Sequence, residues 1–375
     1  MGDRVLTLRE LNRATLARQL LLERVSMPAT ALLEHLVGLQ AQEADSWYGG
    51  FWSRLEAFDP GEVSSLLEER AIVRIALMRS TIHLVTTEDA LRLRPLLQSA
   101  VAKPLTGHWR RHLAELHAEE VASAAREAFA EHGPLTNAEL GALLQGRWDG
   151  PDASDVAMGA RVWVPLAQVP PRGLWGRSGA ARHLPLESWA GRPLGPALPA
   201  EELVLRYLAA FGPATPADAQ AWSGLTRLRA VFERLRPQLA VFRDEAGREL
   251  FDLPDAPRPD PDVPAPPRFL YDYDNLMLGH ADRTRFGSSE LRAEVLRRAG
   301  MYAYGSLLVN GFLRGLWRIE RGRGTATLVV RLAQPLDAAG RDAVTREGAA
   351  LLRFWAAEVS HEMRFSPLSE VGGES

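Results

Sequence analysis

Apolar residues recur at helical spacing through "TLRELNRATLARQLLL" (residues 7–22), and Thr7 with Glu10 three residues on predicts a capping box at its start. A second amphipathic run, "ATALLEHLVGLQ" (29–40), follows Pro28 and predicts a helix ending near Gln40. "DPGEVSSLLEER" (59–70) predicts a third helix, with Asp59 as N-cap and Pro60 at its first position. The pattern then changes. "AIVRIALMRSTIHLV" (71–85) is rich in β-branched residues, and its polar break at Arg79-Ser80 predicts a hairpin of two strands. Three helices followed by a two-stranded wing is the order of a winged helix.

Further helices are predicted over 86–103 and 105–133, and then the chain echoes itself. "HGPLTNAEL" (132–140) resembles "FGPATPADA" (211–219). In each, Gly-Pro ends one helix, Thr caps the next, and an acid lies three residues after the Thr: Glu139 after Thr136, Asp218 after Thr215. Such punctuation also suits any helix-turn-helix, but the residues after each copy extend the echo. The second copy leads into a helix and then "LAVFRDEAGRELFDL", which predicts strand, turn, strand. The first leads into a third helix and a less regular wing. The predicted class is therefore α+β, with three tandem winged-helix units at 1–105, 106–199 and 200–253. A proline-dense linker (254–268) is too rich in that residue for helix or central strand. A β-rich C-terminal unit (269–375) comes next, with two strands joined at Arg321-Gly322-Arg323-Gly324 and a closing helix from "AVTREGAALLRFWAAEV".

Composition narrows the chemistry. The 375 residues are 46% hydrophobic and 24% charged, ordinary for a protein that buries a core. No apolar run is long enough for a membrane span and the N-terminus lacks a signal-peptide pattern, so a cytoplasmic location is the default expectation. With no cysteine, disulfides, thiolate metal sites and a thiol nucleophile or alkyl acceptor are excluded. Lys103 is the only lysine, which leaves Schiff-base chemistry one candidate with nothing else to recommend it. At a net charge of −3, nucleic-acid binding would require a local basic surface. Arginines cluster at 227, 229, 234 and 236, beside Trp109 at 110 and 111, and on the C-terminal hairpin as Arg314, Arg318, Arg321 and Arg323 around Trp317. Each cluster also fits a solvated face. The hairpin tip, two arginines alternating with Gly322 and Gly324, additionally has the form of a thin cationic finger suited to a narrow groove.

The densest chemistry is in "GLQAQEADSWYGGFW" (38–52). Nine glutamines make a chance Q-x-Q cheap, and taken alone Gln40 and Gln42 read as a helix end. An amide is no proton-transfer base, but it orients a water and presents a carbonyl dipole. That suffices where the leaving group is already activated, as in a purine made cationic by N7 alkylation, whose departure leaves an oxocarbenium-like sugar. Trp47, Tyr48, Phe51 and Trp52 read first as packing behind these amides, with base stacking the alternative. His83 alternates with Ile82 and Leu84 on a strand and reads first as a structural histidine. His280 and Asp282 have no third ligand at diagnostic spacing, so no metal and no cofactor is expected.

"GLQAQ" (38–42), "RSTIHLV" (79–85), "YDNLMLGHADRTR" (273–285) and "WRIERGRGTATLVV" (317–330) together resemble the AlkZ/YcaQ-like family of winged-helix DNA glycosylases over most of the chain. The resemblance implies three tandem winged helices and a β-rich C-terminal part, C-shaped around a basic DNA channel. It also implies monofunctional excision of N7-alkylated purines from double-stranded DNA. Glutamine at position 42, where the related branch has Asp, matches the AlkZ-type motif and makes Gln40 and Gln42 the catalytic candidates. The Arg321–Gly324 turn matches a DNA-probing hairpin; that turn, Arg314 and Arg318 on the same hairpin, and Arg79 and His83 in a motif near the site are the DNA-binding candidates. AlkZ-type members are associated with self-resistance to DNA-alkylating natural products, interstrand crosslinkers included. A monomer is expected. The rival reading is a winged-helix transcriptional regulator or other non-enzymatic DNA-binding protein, which explains the repeated units but not an amide pair in the first.

Overall fold

The computed structural model describes residues 4–103, 113, 116–299 and 304–370; Trp109, Arg110 and Arg111 lie outside them. Among the described residues the fold mixes helices with three sheets. Strand β1 (Val5–Leu6) leads into helix Leu8–Arg18, which Thr7 and Glu10 close with the expected capping box. Helix Ala29–Leu36 is followed by β2 (Leu39–Gln40), a short helix at Tyr48–Trp52, and helix Pro60–Glu68 with Asp59 as its N-cap. Strands β3 (Ile72–Ala76) and β4 (Ile82–Thr86) then form the first hairpin.

The second segment contains helix Ala118–His132, β5 (Leu135–Thr136), helices Asn137–Leu144 and Ala153–Trp163, and strands β6 (Leu166–Val169) and β7 (Arg182–Pro185). The third contains helices Ala200–Phe211, Pro216–Ser223 and Leu228–Leu235, then β8 (Ala240–Asp244) and β9 (Glu249–Asp252). Both members of the echo are full capping boxes, at Thr136 with Glu139 and at Thr215 with Asp218. The C-terminal segment is a five-stranded sheet: β10 (Arg268–Leu270), β11 (Gly305–Val309), β12 (Phe312–Arg321), β13 (Thr325–Leu332) and β14 (Ser360–Pro367), in that order. Helix Ala338–Trp355 does not close the chain as its pattern suggested. It is the crossover that returns the chain as β14, parallel to β13.

Tertiary pairing adds what local patterns did not carry. The first and second hairpins merge into one six-stranded sheet, ordered β2-β4-β3-β6-β7-β5, through antiparallel pairing of β3 with β6. β1 pairs parallel to β8, so the N-terminus completes the third hairpin's sheet. Segments distant in sequence share a core: Leu33 and Leu36, Ile75 and Leu84, Phe211, Trp222 and Phe232 belong to one buried cluster. The second segment keeps a separate core around Val121, Phe129, Leu140 and Val156. The proline-rich stretch is pinned along helix Leu8–Arg18, whose Arg9, Arg13 and Arg18 donate to the carbonyls of Pro261, Val263 and Pro257.

One buried ion pair fastens the C-terminal segment to the first. Arg54 donates to both Asp274 oxygens, at 2.8 and 2.7 Å, and both side chains are fully shielded. The Arg54 guanidinium also donates to the carbonyls of Gln19 and Gly50, so its remaining N–H groups are occupied. Removing one partner strands the other charge in the interior. Asp274→Ala is expected to cost about 3–5 kcal/mol in urea unfolding, with a loss below about 1 kcal/mol counting against this pair as the fastener.

Candidate active site

The amide pair lies on a strand and the loop after it, not at a helix end. Helix Ala29–Leu36 stops because Val37 and Gly38 both adopt positive φ, 56° and 93°, and turn the chain into β2. A β-carbon at position 38 would fall well inside contact distance of Val85 and 2.8 Å from the Leu84 carbonyl oxygen, so only glycine fits. Gln40 then pairs with His83 across the β2–β4 ladder, and the Ala41 N–H donates to the Ile82 carbonyl at 2.8 Å.

The backbone of this strand is held from two sides. From the C-terminal segment, the Asn275 amide donates to the Gly38 carbonyl at 2.6 Å and accepts from the Gln40 N–H at 3.2 Å. The Tyr271 hydroxyl donates to the Gln40 carbonyl at 2.9 Å. Beneath the loop, buried Arg74 donates to the carbonyls of Ala41 and Glu43 at 2.9 and 3.0 Å. Burial, with Arg172 adding repulsion, pulls the Arg74 pKa down to about 10, so it stays cationic at neutral pH. Close packing accounts for one of the paired glycines, Gly50: a β-carbon there would sit 3.0 Å from the Tyr271 ring and 3.1 Å from Leu39. Trp47, Tyr48 and Phe51 are fully buried and Trp52 nearly so, in stacked and edge-on contacts that form the floor behind the loop.

Donors that cannot accept fix both side chains. Arg79 donates through Nη2 to Gln40 Oε1 at 2.6 Å, and the Ile82 N–H donates to Gln42 Oε1 at 3.3 Å. Neither a guanidinium nor a backbone N–H accepts, so each carbonyl faces its donor and each NH2 group turns away. Gln40 is 4% exposed and Gln42 is exposed, placing one amide at the floor of the site and the other at its mouth.

His83 is buried, with Nδ1 2.9 Å from the Thr81 carbonyl oxygen. Burial, reinforced by the Arg79 charge, pushes its pKa down to about 3, so at neutral pH it is an uncharged ring. His280 sits deep beside Phe211 and Tyr207, and Asp282 pairs with Arg248 at 2.6 Å. Among the described residues no cluster of three potential ligands could hold a metal ion.

On the C-terminal sheet, Arg321, Arg323 and Gly324 stand at the exposed tip between β12 and β13, with Gly322 closing the turn through an N–H to the Thr325 carbonyl at 2.8 Å. Arg321 is tethered to the Trp355 carbonyl at 2.7 Å. Arg318 pairs with Glu320 and stacks over Tyr304, and Arg314 reaches Gln334 on the other side of the hairpin's base. In the third segment, Arg234 pairs with Glu201, and Arg236 with Glu233 and Glu249, so two of that cluster's four arginines are neutralised. A cavity of about 260 Å³ separates the hairpin from the amide loop, with Asp45, Ser46 and Asp272 on one wall and Arg318, Arg321 and Trp355 on the other. Burial pushes the Asp272 carboxyl up to about 6.

Sequence reasoning found the amides but gave no role to Arg54, Arg74, Tyr271, Asp274 or Asn275. Asp274 and Asn275 fall in the 273–285 motif that carried the resemblance, and Asp-Asn before an apolar run is also the signature of a helix cap; Asp274 does cap the short helix Asn275–Leu278.

The AlkZ-like DNA glycosylase model matches residues 33–354, most of the chain, and the chain therefore belongs to the AlkZ-like DNA glycosylase family. Its fold is similar to that of the Streptomyces sahachiroi DNA glycosylase AlkZ, with a TM-score of 0.72 at 20% identity over 96% of this chain and 100% of that one. No curated protein matches the sequence. No helix among the described residues is long and apolar enough to cross a membrane.

Three buried histidines make stability depend on pH. His83, His183 and His280 are all lowered by burial, to about 3, 4 and 3. Their folded pKa values lie below the unfolded value, so the unfolded chain binds more protons and stability is lost as pH falls from about 6.5 toward 4. Asp272, raised to about 6, opposes this in part, because above that pH its folded carboxylate is the disfavoured form. The net expectation is a melting temperature that falls steadily between pH 6.5 and 4.5, and a flat profile there would contradict burial of the three rings.

Proposed function

We propose that this DNA glycosylase is monofunctional and of the AlkZ type, hydrolysing the N-glycosidic bond of N7-alkylated purines with Gln40 and Gln42 holding the attacking water. The observation that carries this reading is the fixed orientation of two neighbouring amides by one-way donors. Each carbonyl keeps a second lone pair after accepting from Arg79 or Ile82, and that lone pair accepts from a water hydrogen. A water held so presents its own lone pair to the sugar carbon.

The reaction needs no strong acid. The C1′–N9 bonding pair leaves with the cationic base, which departs as a neutral alkylpurine. Water oxygen bonds to C1′, and its surplus proton passes to solvent. The carbonyl dipoles oppose the positive charge that builds on the sugar. Beside the amides Arg74 stays cationic and His83 is neutral, so neither is an acid poised to protonate the leaving base.

In this reading the three helix-and-hairpin segments are winged-helix units arranged with the C-terminal sheet around a DNA channel, and the Arg321–Gly324 tip enters the duplex. Gln42 at the mouth, with Gln40 behind it, suits an open groove rather than a closed pocket for an extruded base. An open groove admits bulky adducts and interstrand crosslinks, the lesions expected of a self-resistance enzyme.

The test is single-turnover excision from duplex carrying N7-methylguanine or a nitrogen-mustard crosslink. Gln40→Ala/Gln42→Ala is expected to lose at least about 100-fold in rate, with duplex affinity changed little. Full excision by the double variant would refute the amide assignment.

A further inference from the structure

Arg79 stands where a groove-facing arginine would be expected, on the turn of the first hairpin, yet its guanidinium is turned inward. Nη2 donates to Gln40 Oε1 at 2.6 Å, and Nη1 donates to the carbonyl of Trp222, a buried residue near the end of helix Pro216–Ser223. One side chain therefore joins the candidate catalytic amide to the third helical segment. The backbone is shaped for this. Arg79 and Ser80 both have positive φ, 55° and 62°, a conformation costly for side chains other than glycine. The Ser80 hydroxyl donates to the Val101 carbonyl at 3.1 Å, and Gly224 packs so close that a β-carbon on it would sit 3.1 Å from the Arg79 nitrogen.

We propose that Arg79 is a positioning residue for base excision: it sets which way the Gln40 amide faces and ties that orientation to the third helical segment, rather than serving primarily as a contact to the DNA backbone. The inference rests on the reading of Gln40 as catalytic. Without the guanidinium the Gln40 amide is free to rotate about its last torsion and exchange its oxygen and NH2 faces. The fraction of molecules presenting a carbonyl lone pair to the water then falls, whereas duplex binding does not depend on which face is presented. The Asn275 and Tyr271 contacts do not substitute, because they hold the backbone of residue 40 and not its amide.

The experiment is single-turnover excision of N7-methylguanine at saturating enzyme, with duplex Kd measured separately, for wild type and Arg79→Gly. Glycine tolerates the positive φ, so the variant removes the side chain without adding backbone strain; its melting curve confirms folding. The plateau rate is expected to fall about 10- to 100-fold, the span of a lost charge-assisted hydrogen bond, with Kd within about threefold of wild type. Added guanidinium ion should restore part of the rate to Arg79→Gly relative to sodium chloride at equal ionic strength, and none to Gln40→Ala. An unchanged plateau with a weakened Kd makes Arg79 a DNA contact and overturns the proposal, as does a folded Arg79→Gly that guanidinium does not rescue. A wild-type chain that excises nothing overturns the functional reading and this role with it.

Discussion

The site depends on a charge that cannot be left alone. Arg54 and Asp274 lie in the interior with both side chains fully shielded, and either ion without the other would cost several kcal/mol. Their pairing brings the strip Tyr271–Asn275 against the start of the chain, and two residues of that strip then hold the Gln40 backbone at its N–H and its carbonyl. The aromatic segment that contains Arg54 supplies the floor, and its Gly50 lets the Tyr271 ring approach. The amide pair is therefore assembled from parts of the chain some 230 residues apart in sequence, as the Asn275 and Tyr271 bonds to residue 40 show.

The same logic orders the helical segments. The first and third share one buried cluster and meet at the Arg79 turn, while the second has its own core and joins the first through β3 and β6. The strand and loop that carry the amides are thus held from the C-terminal segment and from below by Arg74. A side chain that must hold a water in line gains from such fixing, because a small loss of alignment costs rate steeply. The hairpin that faces the loop across the small cavity has an exposed tip, as suits an element that meets a partner.

Much of this was legible along the chain. Capping boxes at Thr7, Thr136 and Thr215, the Asp59-Pro60 start and the break at Arg79-Ser80 are local signals, and each lies where its local chemistry put it. Three features were not. The end of the second helix moved back from Gln40 to Leu36 because Gly38 is needed for a turn whose tightness depends on Val85, a partner 47 positions on. β14 was missed because its alternation rests on only two apolar residues, Met363 and Phe365, and the strand gains its order from pairing with β13. The Arg54, Tyr271 and Asn275 clamp was invisible because ion pairs and amide bonds between distant segments leave no periodicity. Of the arginines, sequence showed the clusters but not which were neutralised by Glu201, Glu233 and Glu249 and which stayed at an exposed tip.

In the proposed reaction two amides, which do not titrate, carry the chemistry. The carboxyl raised toward neutrality, Asp272 at about 6, stands across the loop and is already ionised above pH 7. The decisive quantity is the ratio of enzymatic to spontaneous release of N7-methylguanine, followed under single-turnover conditions from pH 5 to 9, a range that spans the Asp272 titration. Dividing by the spontaneous rate removes any titration of the base itself. A ratio constant across that range is what non-titrating amides require. A ratio that changes tenfold per pH unit would place a titrating acid or base in the rate-limiting step and contradict catalysis by the amide pair.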